Sequence, residues 1–169
     1  MKIRARKAIV PGVVGAVLAL AAVPFAFAGD SSPQDETPPP YAVENFDYPG
    51  AQNVLETKGI LLKRGDGHII LSACDYDRDQ IRVLTVKDTS VNREGTYCFE
   101  TNHTTGWLTL ELPRVFALET GTHPISADII GSSSGTKKQV DVGKGGFESV
   151  GEGTVGGERS VLLEIRVTG

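Results

Sequence analysis

Three carboxylates stand at alternating positions in Asp75-Tyr76-Asp77-Arg78-Asp79, the spacing with which an EF-hand loop opens. Oxygen ligands so placed suit Ca²⁺, which takes roughly six to eight of them. The rest of such a loop is missing: Gln80 stands where the sharp turn needs glycine, and Val86 stands where a bidentate glutamate belongs. Asp75, Asp77 and Asp79 therefore read as a solvated turn balanced by Arg78 and Arg82. A partial Ca²⁺ site is the alternative, and no cofactor is expected.

Gly65-Asp66-Gly67-His68 offers a general base oriented by a carboxylate, although a histidine that opens a strand after a tight turn has the same sequence. His68, His103 and His123 are too scattered to make a zinc-ligand pair. Gly131-Ser132-Ser133-Ser134-Gly135 matches the nucleophile-elbow pattern, with Ser133 as nucleophile. That motif works on a strained strand-to-helix turn, whereas here the polar Thr136-Lys137-Lys138 follows in a β-rich chain, so a hairpin loop is expected and no catalytic residue is assigned. Arg64-Gly65-Asp66, the integrin-binding tripeptide, and Asn102-His103-Thr104, a glycosylation sequon, both fall in predicted turns. Trp107 is the single tryptophan, and with Thr109 it lies on the strand face opposite Leu108, Leu110 and Leu112. These two residues are the candidate binding surface for a sugar or a protein; packing under a loop or a second sheet is the alternative.

The chain has two cysteines, Cys74 and Cys98. If the protein is exported they pair as one disulfide, which in the chain-entropy description adds roughly 3 kcal/mol. Export is what the first 28 residues predict. Lys2, Arg4, Arg6 and Lys7 form a basic head, an apolar run follows, Pro24 breaks it, and Ala26-Phe27-Ala28 offers a small-residue cleavage site. The alternative is an uncleaved anchor, since the run is long enough to span a bilayer. Cleavage after Ala28 leaves 141 residues (169 minus 28) and removes four of the 17 basic residues against 21 acids, moving the net charge from −4 to −8. That surface disfavours nucleic acid and anionic lipid. The expected partner is an extracellular protein or glycan, with membrane contact only through the leader.

Residues 29–40 are acidic and proline-rich, with no apolar period, and read as a spacer. Residues 41–56 are transitional; Tyr41, Val43, Phe46 and Tyr48 can dock on the domain, and a short helical turn is predicted over 52–57. From residue 57 to 169 short β-branched runs alternate with glycine-bearing turns. Strands are predicted over 59–63, 68–73, 81–87, 96–101, 106–112, 115–118, 125–130, 138–142 and 161–168. In the last, Val161, Leu163, Ile165 and Val167 should share the buried face. Residues 151–157 hold four glycines and read as a loop. The pattern predicts an all-β domain, an antiparallel β-sandwich or open barrel, behind a signal peptide (1–28) and a spacer with its transitional segment (29–56).

Gly65-Asp66-Gly67-His68-Ile69, Cys74, Cys98-Phe99, the run from Gly106 to Pro113 and Leu163-Glu164-Ile165 resemble a group of small secreted actinobacterial proteins of uncharacterised function. The resemblance implies a paired Cys74 and Cys98 and no activity. The function expected is binding without chemistry. The alternatives are a small extracellular hydrolase built on Asp66, His68 and the acidic cluster, and a protease inhibitor presenting the loop over residues 85–94.

Overall fold

The computed structural model describes residues 45–169, so the signal peptide expected over 1–28, the spacer expected over 29–40 and the first four residues of the transitional segment expected over 41–56 lie outside the described residues. The period-two runs fold into two five-stranded sheets in which every neighbouring pair is antiparallel. The first has the order β1 (Leu61–Gly65), β5 (Gly106–Pro113), β10 (Ser160–Val167), β7 (Ile125–Gly131), β8 (Lys137–Val142). In the second, β2 (Ile70–Ser72), β4 (Thr96–Glu100), β3 (Ile81–Thr85), β6 (Val115–Glu119) and β9 (Phe147–Ser149) lie side by side. Leu62, Leu108, Leu110, Leu112, Leu162 and Ile165 from the first sheet meet Ile81, Val83, Phe99 and Leu118 from the second in one buried core. Two sheets sharing a core make the fold a sandwich, so the barrel alternative falls.

β5 alternates as its sequence predicts, with its three leucines buried. β10 does not. Its register slips between Leu162 and Glu164 against both neighbours: against β7, Leu163 is the extra residue of a β-bulge, whereas against β5 the extra residue lies on β5, between Thr109 and Leu112. Leu162, Ile165 and Val167 therefore share the buried face and Leu163 is only half-buried, correcting the face assignment made from strict alternation. β9 was not predicted because all three of its residues are exposed and carry no alternation.

Residues 45–48 add to the first sheet beyond β1: the Gly65 amide donates to the Phe46 carbonyl and the Tyr48 amide to the Lys63 carbonyl, each at 2.9 Å. The chain then turns at Gly50 (φ 69°) into helix α1 (Ala51–Lys58), longer than the turn predicted over 52–57. Gly59 ends α1 in the left-handed region (φ 64°), donating its amide to the Leu55 carbonyl. Its lack of a side chain is also required by contact, because a Cβ there would overlap the Val91 carbonyl oxygen. Residues 45–56 are thus part of the folded unit. Cys74 and Cys98 are joined in a disulfide with Cα atoms 5.1 Å apart, tying the segment after β2 to the fully buried centre of β4. Among the described residues no helix is long and apolar enough to cross a membrane.

Candidate functional site

The turn between β1 and β2 organises the most feature-rich surface of the protein. Gly67 takes a positive φ (82°), which lets the Asp66 carboxylate fold back: Oδ1 accepts the His68 amide and Oδ2 the Trp107 amide, both at 3.1 Å. Asp66 thereby straps the turn onto β5. His68 Nδ1 lies 2.9 Å from the Thr105 carbonyl and 3.5 Å from Asp66 Oδ2. A carbonyl only accepts, so the neutral ring carries its proton on Nδ1. The His103 ring stacks on it with centroids 3.9 Å apart.

On one side of this turn His68, Glu100 and Asn102 help line a polar cleft of about 390 Å³, across which Arg78 Nη1 donates to Glu100 at 2.7 Å. No hydroxyl or thiol among the described residues hydrogen-bonds His68, so this cleft holds no nucleophile paired with the ring. On the other side, between residues 45–49 and 65–70, lies a larger cleft of about 700 Å³. Phe46, Tyr48, Pro49, Ile69 and Ile70 give it apolar walls, and Asn45, Asp47 and Asp66 supply polar groups. Ile70 belongs to both clefts and stands 54% exposed between them.

Trp107 and Thr109 adjoin this surface on the face of β5 turned from the core. Trp107 is half-buried, its ring 6.0 Å from that of Phe46 and tilted by 49°. The Arg64 guanidinium sits 5.8 Å from the centre of the Phe46 ring. Thr109 is committed locally, because its hydroxyl accepts the Arg64 amide and donates to the Arg64 carbonyl, both at 3.1 Å.

The acidic cluster is organised differently. Asp79 gives one oxygen to the Thr122 amide at 2.6 Å and the other to the Thr122 hydroxyl. Burial pushes the Asp79 pKa up, but these bonds outweigh it and hold the carboxyl below its usual value. Asp75 accepts the Asp77 amide at 3.0 Å. The nearly buried Arg82 guanidinium braces the same loop through the Asp75 and Arg78 carbonyls while donating to Glu119. Among the described residues no three His, Cys, Asp or Glu side chains gather closely enough to hold a metal ion.

Ser133 lies in the β7–β8 hairpin, where its amide and that of Ser134 donate to Glu158. The Arg64-Gly65-Asp66 tripeptide is not presented as a loop tip, since its aspartate is engaged by two backbone amides. The loop over 85–94 is braced: Asp88 caps the turn Thr89–Val91, Arg93 donates to the Val86 carbonyl, and Asn92 reaches the Glu56 carbonyl at the end of α1. Its tip is a helical turn tied back to the body, not an extended segment that could pair with another chain.

Phe46, Tyr48 and Ile70 were not candidate site residues. The readable signal was the aromatic side chains at 46 and 48, expected to dock on the domain; their convergence on the 65–70 turn depends on tertiary pairing.

Comparison with families of known proteins finds no match. A search of curated proteins finds none either. Among solved structures, the antifungal protein from Streptomyces tendae Tu901 is similar at 16% identity with a TM-score of 0.42, over 59% of this chain and 98% of that one. At that identity and score the likeness supports no argument about fold or function.

Proposed function

We propose that this protein is a secreted, non-catalytic binding module, taking an extracellular protein or glycan on the surface formed by residues 45–49, the 65–70 turn and Trp107. The observation that carries this reading is the cleft of about 700 Å³, in which aromatic and aliphatic walls adjoin a few polar groups. Its walls are pre-formed, since residues 46 and 48 are hydrogen-bonded to β1 and little order remains to be imposed on binding. Export is supported by the leader-like first 28 residues and by the Cys74–Cys98 disulfide, which fits an oxidising compartment. Asp66 and His68, the groups a hydrolase would use, are engaged in holding the turn.

Affinity capture from culture supernatant and cell envelope, with mass spectrometry of what is retained, tests the reading. A species held by the wild type and lost with Phe46→Ala and Ile70→Asp is the expected result. Capture indifferent to both substitutions would overturn it.

A further inference from the structure

The larger cleft has a chemistry more specific than apolar shelter. Asn45 uses its side-chain Oδ1 to accept the Asp47 amide at 2.9 Å, and its NH₂ group, a donor, has no acceptor among the described residues. Asp47, exposed beside it, forms no ion pair among the described residues and presents a carboxylate acceptor. Donor and acceptor side by side match a hydroxyl, which gives and takes at once. Phe46 lines the same cleft, and its ring, 6.0 Å from that of Trp107 and tilted by 49°, makes an angled aromatic ledge with the adjoining tryptophan.

A pyranose ring carries both halves of that pattern, an apolar C–H face and a rim of hydroxyls. We propose that the cleft binds a neutral oligosaccharide, with Phe46 and Trp107 against the sugar faces and Asn45 and Asp47 on the hydroxyls. The inference rests on the binding-module reading and names the ligand of the same site. Cleft size agrees, since about 700 Å³ falls in the range of roughly 300–1,000 Å³ typical of small-ligand sites. Charge selects neutral sugars over anionic polymers, because the cleft holds two carboxylates, Asp47 and Asp66, on a chain of net charge −4. A protein partner is less well matched, as Ile70 is the single large apolar side chain more than half exposed on this surface, short of the central cluster that anchors protein interfaces.

Trp107 is the sole tryptophan and reports on its own surroundings, so fluorescence of the full chain titrated with neutral hexasaccharides of glucose (α-1,4 and β-1,4), xylose, mannose and N-acetylglucosamine reads the site directly. The expected result is a saturable change with at least one sugar, weakened about tenfold or more by Asp47→Ala and by Phe46→Ala, with Asp47→Ala melting as the wild type does. Emission unmoved by every sugar, or binding indifferent to Asp47→Ala, overturns the saccharide. If sugars fail while a captured protein is lost with Phe46→Ala and Ile70→Asp, the saccharide falls and the binding reading stands. If capture is also indifferent to those substitutions, both fall.

Discussion

The Tyr48 hydroxyl accepts the Leu71 amide at 3.0 Å, so one side chain from a segment bonded to the edge of the first sheet caps the edge strand of the second. An unpaired strand edge invites another chain, and here a neighbouring hydroxyl occupies its outward-facing donor. The same contact fixes Tyr48 as a wall of the larger cleft. Tyr48→Phe should therefore cost about 1 kcal/mol, because it leaves a half-buried amide without its partner. Urea denaturation measures the cost, and hydrogen exchange at the Leu71 amide should accelerate. Unchanged exchange there would contradict the assignment.

The disulfide holds the segment after β2, and with it the acidic loop, against the buried centre of β4. Replacing both Cys74 and Cys98 by alanine should lower stability by about 2–4 kcal/mol. Denaturant midpoints of oxidised wild type and double variant check it; coincident curves would show that the bond contributes nothing.

Acid should loosen the β7–β8 hairpin. The Glu158 carboxylate accepts the Ser134 hydroxyl and the Ser133 and Ser134 amides, and these bonds hold its pKa below the usual value. Glu152 shifts the same way because Arg114 hydrogen-bonds it in a two-pronged pair. A pKa depressed in the folded state contributes stability that is complete above the unfolded value, about 4.3 for glutamate, and is lost as pH falls through the folded value. The melting temperature of Glu158→Gln should thus fall less than that of the wild type between about pH 6 and pH 3. Parallel pH profiles would count against it.

Calcium should leave the fold unaffected at micromolar concentration. Both Asp79 oxygens are taken by Thr122, and Asp75 caps its own turn, so the three carboxylates supply few of the oxygens that the ion needs. Thermal melts with and without Ca²⁺ should coincide, for wild type and Asp77→Ala alike. A large shift at micromolar free Ca²⁺, removed by Asp77→Ala, would reveal a metal site.

Much of the fold was legible because Leu108, Leu110 and Leu112 alternate with polar residues and glycine-bearing turns separate the runs. What escaped had physical reasons. Period two cannot survive a bulge, so Leu163 was assigned to the core face that Leu162 occupies. β9 buries none of its residues, and α1 has no buried side chain to mark a helical period. The cleft was less legible than the sheets. Asp66 and Trp107 stood out as residue types, but nothing local shows that Tyr48 meets Leu71 across 23 positions of chain.

The central claim, that binding occurs on the surface of residues 45–49, 65–70 and Trp107, is tested most directly by mapping amide and Trp107 indole NMR shifts of the labelled protein on addition of whatever it captures. The account predicts perturbations clustered at Phe46, Asp47, Asp66, Ile70 and the Trp107 indole. Perturbations confined to the loop over 85–94, or to β8 and β9 on the opposite sheet edges, would contradict it.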